Sequence, residues 1–511
     1  GTRLDAEGQA DLESLVETAG CEGSDEDLRQ ADAAVESFTQ EATGRLAGVI
    51  TGAPEDAAGE TGQLIINTLS FPRTVAVALD DGDAAPTGTP GLRGIQDTST
   101  GRQAIVDLPA SGYCWLPVTP GPAEPPDPQA ALADGLLLRN EFFEIHINPD
   151  TGGIERIKGY GRQPNVLSQQ LAFRFPRERT VTIGEGETAE ETSTWYSEMV
   201  GHGVEVLSAG PHVGEIRTHG ELVDQSTGER IAGFRQTFRA LRYRPNVEVE
   251  IELEIDQAPE GDPWSNYLAA RFAYGDTTAA ITRSVLGSAQ PSGNDRFESP
   301  YYVEIANESN RVTLAAPGMP FYRKTGDRMV DAILVPEGEQ RRKFSMTISV
   351  DQAYPMQEAL DHLVPPLIRH RVPGPPAAGT QGWFFHLDSR NVQITRVLDL
   401  ADLPSWTPDD SVDDRSGELD DSGQIETDPN DQDQWSEYDQ PTLPDGFGFG
   451  VRLQETEGRH RSTTLRCWRT PIMARQRDFE GRTLAELPIE DDGVRVDLTA
   501  HEIADIELRF D

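Results

Sequence analysis

The sequence predicts a mainly β protein, opened by a helical hairpin and built around a large two-sheet sandwich. Three observations carry this. Apolar residues step by three and four up to about residue 50 and by two from about residue 60 onward. The β runs are short and are separated by Asp, Gly, Pro and Thr. Hydrophobic residues make up 36% of the chain and are dispersed, with no run of about 18 that could cross a membrane as a helix.

In the opening segment, Leu28, Ala31, Val35, Phe38, Ala42, Leu46 and Val49 recur at helical spacing and make one apolar face. Ser24, with Asp27 three residues on, forms a capping box at the start of that helix. Leu12, Leu15, Val16 and Ala19 mark a shorter preceding helix closed by Gly20. The pair is expected as a hairpin over residues 1–58, either a peripheral hairpin or the remnant of a helical bundle. Its stripe of Leu28, Val35, Phe38 and Leu46 should favour self-association unless something covers it.

Residues 59–126 carry four short β runs, around Leu64, Val75, Ile105 and Trp115. They form a small β domain that ends in a proline-rich linker over 120–126. The region 127–365 is longer. Phe143, Ile145 and Ile147 alternate with polar neighbours, turn at Asn148–Gly153 and resume at Ile154, as a hairpin does. Val247, Val249, Ile251, Leu253 and Ile255 alternate without a fault with Glu248, Glu250, Glu252 and Glu254. One face of that strand should be buried and the other carboxylate-lined and wet. Many short strands with few helical stretches mean a large two-sheet sandwich. Residues 366–511 are again β, a C-terminal sandwich interrupted by an exposed acidic loop over about 399–440.

With 511 residues, 44 Lys+Arg and 87 Asp+Glu, the chain carries a net charge of −43. That field repels phosphate, so neither nucleic acid nor an anionic membrane surface is an expected partner. Lys158, Lys324 and Lys343 are the only lysines, so the positive charge is almost all arginine. Cys21, Cys114 and Cys467 are widely separated and odd in number, so no disulfide framework or cysteine-based zinc module can be built from them. The opening Gly1-Thr2-Arg3-Leu4 reads as the start of a fragment or a processed product, and the compartment is not legible.

Chemistry-bearing motifs are sparse. A phosphate-binding glycine loop, a dinucleotide fingerprint, a nucleophile elbow and a zinc helix of the HExxH type are all missing. The nine histidines do not occur at the i, i+2 or i, i+4 spacing that would set two imidazoles on one metal. Asp428, Asn430, Asp431 and Asp433 lack the glycine and glutamate of a calcium loop and read as a solvated charge run. Carboxylates abound, but spacing selects no glycosidase pair. Trp195-Tyr196, and Trp264 with Tyr267, stand in polar, turn-like contexts, where aromatic rings either stack on sugars or pack the sandwich.

Four segments carry a resemblance. Ile66-Asn67-Thr68-Leu69-Ser70-Phe71-Pro72-Arg73 is similar to the strand that opens the β half of glycoside hydrolase family 38 α-mannosidases. Arg139–Phe143, continuing to Asp150–Ile154, resembles a hairpin of that family. Arg296–Tyr302 and Val451–Gly458 resemble two later segments, in the family's order. The resemblance implies a galactose mutarotase-like supersandwich with flanking smaller β-sandwiches. It also implies a parent enzyme whose zinc, nucleophile and acid sit in an N-terminal catalytic barrel that this chain lacks. No catalytic residue and no zinc ligand is therefore assigned here. The family's glycine-tyrosine turn is replaced by Gly318-Met319-Pro320-Phe321-Tyr322-Arg323, and its sugar-approaching arginine loop is represented only by Arg341-Arg342, so the substrate can differ.

The sequence thus leads to a non-catalytic β portion of an α-mannosidase-like hydrolase, scaffolding the barrel and binding an α-mannoside-like glycan. Its candidate carbohydrate-binding residues are Trp195, Tyr196, Trp264, Tyr267, Arg296, Glu298 and Tyr322. A free-standing carbohydrate-binding sandwich and a polysaccharide lyase-like enzyme with its own site remain as alternatives, since a sandwich hosts many functions.

Overall fold

The structure, a computed structural model, describes residues 6–52, 60–80, 82–86, 88–121, 131–160, 165–176, 179–183, 187–191, 195–400 and 447–511. Asp399, the expected start of the acidic loop over 399–440, ends a strand, and the rest of that stretch from residue 401 on, with most of the proline-rich linker, lies outside the described residues. The chain divides into two compact units, one holding residues 1–386 with 456–458 and the other the remainder.

The hairpin consists of helix α1 (Ala6–Glu22) and helix α2 (Asp25–Thr51). Ser24 caps α2 reciprocally: its hydroxyl accepts from the Asp27 N–H, and the Asp27 carboxylate accepts from the Ser24 N–H at 2.7 Å. Gly52, at φ 64°, closes the helix in the left-handed region that only glycine enters without strain. The last turns of α2 do find a partner. Leu46, Ala47 and Ile50 pack on Leu64, Ile66, Tyr113, Trp115 and Val372. Leu28 and Val35, nearer the other end, stay exposed.

Those partners belong to a four-stranded sheet ordered Leu367–Gly374, Glu60–Asn67, Gly112–Pro117, Gln381–Trp383. Its strand Glu60–Asn67 is apolar on both sides, because Leu64 and Ile66 face α2 while Ile65 faces a second core. In that core Ile65, Cys114 and Leu116 meet Val75, Val77, Ala104 and Val106 of the three-stranded sheet Arg73–Ala78, Gly101–Leu108, Leu92–Thr98. Residues 367–374, expected with the C-terminal sandwich, thus pair instead with residues 60–66. The registry Ile65↔Ile368 spans the whole large domain.

Between these strands lies the supersandwich. One nine-stranded sheet runs Arg296–Glu298, Phe321–Lys324, Met329–Val335, Tyr267–Tyr274, Leu167–Arg174, Ile154–Gly159, Phe143–Ile147, Leu137–Arg139, Ala133–Asp134. The other, also of nine strands, runs from Glu198–Ala209 through Val213–Val223, Arg230–Leu241, Asn246–Ile255 and Lys343–Val350 to the strands of residues 280–315. Both sheets feed one core, where Phe143, Phe272 and Tyr322 of the first meet Phe238, Ile251 and Ile348 of the second. The hairpin at residues 143–159 forms as expected. Val247, Val249, Ile251 and Leu253 are buried, with Ile255 packed against them. The fold class is therefore the mainly β two-sheet sandwich that the period of two announced, in the supersandwich form that the resemblance implied.

The carboxylate face of that strand departs from expectation. Glu250 and Glu254 are exposed, whereas Glu248 is half-buried between Arg244 at 3.0 Å and Arg239 at 3.5 Å. The cause is helix α3 (Pro355–Leu363), which lies against this end of the sheet. Glu358 of α3 accepts from Ser349 at 2.9 Å, His362 lies 3.3 Å from the Ser345 hydroxyl, and Asp361 pairs with Arg244. Burial alone would raise Glu248, but the arginines hold it below its usual value. Asp361 also meets Arg73 at 3.4 Å, and Arg73 donates to the Val364 carbonyl at 2.5 Å, tying the small β domain to the sandwich.

The second unit is a β-sandwich on its own. Val392–Asp399, Phe447–Glu455, Ile503–Phe510, Met473–Arg477 and Thr483–Glu486 form a five-stranded sheet. Arg461–Cys467, Gly493–Leu498 and Ile489–Glu490 pair in another. Val451, Leu453, Ile506 and Leu508 of the first, with Leu465, Val494 and Val496 of the second, are buried.

Candidate functional site

Period-two alternation gives the first sheet of the supersandwich an outer face, away from the shared core. Adjacent strands place Arg296 opposite Arg323, Arg323 opposite Asp331, and Asp331 opposite Arg271. Two same-face rows along, past Ala269, Arg174 stands opposite Tyr267. A charged row thus crosses four strands on a sheet whose other side is apolar.

Asp331 organises it. Its side chain is fully buried, and its Oδ2 accepts hydrogen bonds from the Tyr267 hydroxyl at 2.7 Å and the Tyr196 hydroxyl at 2.8 Å. Arg271 Nε lies 3.3 Å from Oδ1, and its guanidinium sits over the Tyr196 ring, 3.5 Å from the centroid. Arg174 donates to the Tyr196 hydroxyl at 2.8 Å. Burial pushes the Asp331 carboxyl above its ordinary value, against the pull of Arg271 and the two phenols. Burial, aided by Asp331, raises both tyrosines, so they remain donors across the physiological range.

A turn closes over the row. Asp262 accepts from the Trp264 N–H at 3.1 Å and the Ser265 hydroxyl at 2.6 Å, which fixes Trp264. The Trp264 indole meets Phe321 edge-on at 5.9 Å, and Arg296 lies over the indole at 5.9 Å. Arg323 donates to the Trp264 carbonyl. Phe321 is 40% exposed and Trp195, at the near end of Tyr196, is 41% exposed. The result is an aromatic and arginine-lined surface on a rigid sheet, suited to stacking and hydrogen-bonding a sugar ring.

The seven residues singled out from sequence are divided by this geometry. Trp264, Arg296, Tyr196 and Tyr267 come together, though Tyr267 is fully buried and supports the surface from beneath. Glu298 is exposed at the sheet's edge, opposite Phe321. Tyr322 faces the other way: it is fully buried in the sandwich core and stacked on Phe297 at 5.7 Å. Alternation sends Phe321 and Arg323 outward and the residue between them inward, so Tyr322 is out of a ligand's reach. Sequence reasoning missed Asp331, Arg174, Arg271, Arg323 and Phe321. One signal was present, a lone acid inside the apolar run Met329–Val335.

Among the described residues no three His, Cys, Asp or Glu side chains converge to hold a metal ion. None of the described helices is long and apolar enough to cross a membrane.

No protein-family model matches the sequence, and no curated protein matches it. Solved structures do. An α-mannosidase from Enterococcus faecalis V583 matches 95% of this chain at a TM-score of 0.61 and 11% identity. A protein in glycosyl hydrolase family 38 from Enterococcus faecalis does so at 0.62 and 11%, again over 95%. A galactose mutarotase-like protein from Lactobacillus casei reaches only 0.28, over 42% of this chain and 100% of its own, at 7% identity. This chain spans 60% and 62% of the length of the two Enterococcus proteins. In fold, it is similar to a part of these larger proteins, as its four sequence segments led us to expect.

Proposed function

We propose that this chain is the β portion of an α-mannosidase-like glycoside hydrolase, where it scaffolds a catalytic barrel and lends it a carbohydrate-binding surface. The observation that carries the reading is the coverage: 95% of this chain but about 60% of each neighbour, so the neighbours hold a large further part. The Asp331-ordered face supports the sugar-binding half, since the exposed Phe321 ring stands beside the half-buried Trp264, which packs on Tyr267, Ala269 and Ile333 and carries the Arg296 guanidinium over its ring.

A retaining glycosidase needs an acid and a nucleophile about 5–5.5 Å apart, and the resemblance puts both in the barrel, together with its zinc. The isolated chain should not hydrolyse an aryl α-mannoside, with or without added zinc. It should bind α-1,2-mannobiose weakly, with the sugar signals in saturation-transfer NMR lost in W264A. Metal-dependent turnover that survives repurification and disappears on replacing a carboxylate of this chain would sink the scaffold reading. Mannobiose binding unaffected by W264A would move the sugar site elsewhere.

A further inference from the structure

The outer face of the first sheet gathers arginines on a strongly acidic chain. The protein has a net charge of −43, yet four arginines gather here, Arg174, Arg271, Arg296 and Arg323, around two carboxylates, Asp331 and Asp262. Only Arg271 has a close ion pair, with Asp331 at 3.3 Å; Arg296 is 4.0 Å from Asp262. Arg174 and Arg323 spend their hydrogen bonds on neutral acceptors, the Tyr196 hydroxyl and the Trp264 carbonyl. Among the described residues neither makes an ion pair with a carboxylate. Arg296 and Arg323 stand directly opposite on neighbouring strands, an arrangement that destabilises a sheet when both side chains carry the same charge. Burial first, then the like charge of Arg174, lowers the Arg323 guanidinium from its ordinary value.

Asp262 and Asp331 offset part of this charge, but four arginines against two carboxylates leave a positive excess, which makes the cluster a preformed anion site. Arginine presents a planar fork that matches an oxyanion with two parallel hydrogen bonds. The accessible members are Arg296, 48% exposed at its side chain, and Arg323, with Arg174 buried behind them to add field. Both accessible arginines contact Trp264, which meets the exposed Phe321 in a T-shaped arrangement. Cation and ring face are therefore presented side by side.

We propose that this face binds a glycan carrying an oxyanion, such as a carboxylate, sulfate or phosphate, beside a pyranose ring, the ring on Trp264 and Phe321 and the oxyanion between Arg296 and Arg323. This rests on the carbohydrate reading above and narrows it to acidic sugars. The remote acidic surface opposes the approach of such a ligand. At about 0.15 M salt the Debye length is about 8 Å, which screens distant carboxylates and leaves contacting arginines effective.

The test is calorimetry on the full chain at that ionic strength, against trigalacturonate, 6-sulfated and 6-phosphorylated mannobiose, neutral mannobiose, and sodium sulfate alone. At least one acidic sugar should bind tenfold or more tightly than neutral mannobiose, and the strongest of the three identifies the oxyanion. R296Q with R323Q should erase that preference, bringing the acidic sugar down to the affinity the same variant shows for neutral mannobiose. R296Q alone, at an exposed position, should reduce it by half or more if the double variant folds poorly. Equal affinity for neutral and acidic sugars overturns the proposal and leaves the mannoside reading standing. Sulfate alone binding as tightly as a sulfated sugar overturns it too, since the ring would then contribute nothing. Binding of no sugar removes both readings.

Discussion

Replacing Asp331 should unfasten the whole outer face. In D331A the Tyr267 hydroxyl loses its acceptor, Tyr196 keeps only the bond it receives from Arg174, and Arg271 loses its counter-ion. Hydrogen bonds to a charged partner contribute about 1.5–3 kcal/mol each, so two of them bound the loss near about 3–6 kcal/mol. Removing one member of a buried pair costs about 3–5 kcal/mol, because the partner is left uncompensated, and Arg271 is partly exposed and can recover some hydration. The expectation is about 3–5 kcal/mol for D331A. D331N keeps an oxygen for the phenols and loses only the charge, so about 1–2 kcal/mol is expected. Urea unfolding followed by tryptophan fluorescence measures both, and a cycle with Y267F should show coupling of at least about 0.5 kcal/mol. A loss below about 1 kcal/mol in D331A, the range of a surface ion pair, would refute the view of Asp331 as the centre of this network. Additivity with Y267F would refute it independently.

Two further outcomes are expected. Ile251 is fully buried between the two sheets, so I251A should cost about 2–5 kcal/mol in the same assay, and a change under about 1 kcal/mol would mean the strand is not core. His362, in the last turn of α3, is shifted downward chiefly by burial, with Arg244 adding to the shift and Glu248 opposing it. The unfolded chain takes up its proton near about pH 6.5 while the folded chain resists. Stability from the neutral imidazole is complete above that pH and drains away as the solution is acidified toward the lowered folded value. H362Q should flatten the unfolding midpoint between pH 7.5 and 5, and superimposable curves for the two proteins would count against it.

Local pattern made the elements legible. Ser24 and Asp27 announced the start of α2, and the alternation at residues 247–255 announced a strand with one buried face. What stayed hidden depends on which distant strands become neighbours. Nothing near Leu367 says that it will pair with Ile66, and nothing near Glu248 says that α3 will lie over it. The site was half legible for the same reason. Trp264 and Tyr196 could be picked by residue type, but Asp331 becomes a hub only when strands from residues 167–174, 267–274, 321–324 and 329–335 lie side by side. Tyr322 shows the reverse error: an aromatic in a turn-like sequence context sat on the inward phase of its strand.

The pairing of residues 60–66 with 367–374 also governs how the protein can be made and cut. Strand 60–67 is central in its sheet, but on the ribosome it emerges some 300 residues before its second neighbour, as the registry Ile65↔Ile368 shows. Until then Leu64, Ile65 and Ile66 sit on an open sheet edge, an apolar template for another copy of the chain. The large sandwich is, in topological terms, an insertion, and its correct folding is what carries the closing strand home. Closing so long a loop is a slow event in folding, because its entropy is lost before the contacts form. Truncation at residue 365, an inviting proline-marked boundary, would leave that edge open permanently, whereas a chain ending after Trp383 would bring all four strands of the sheet with it.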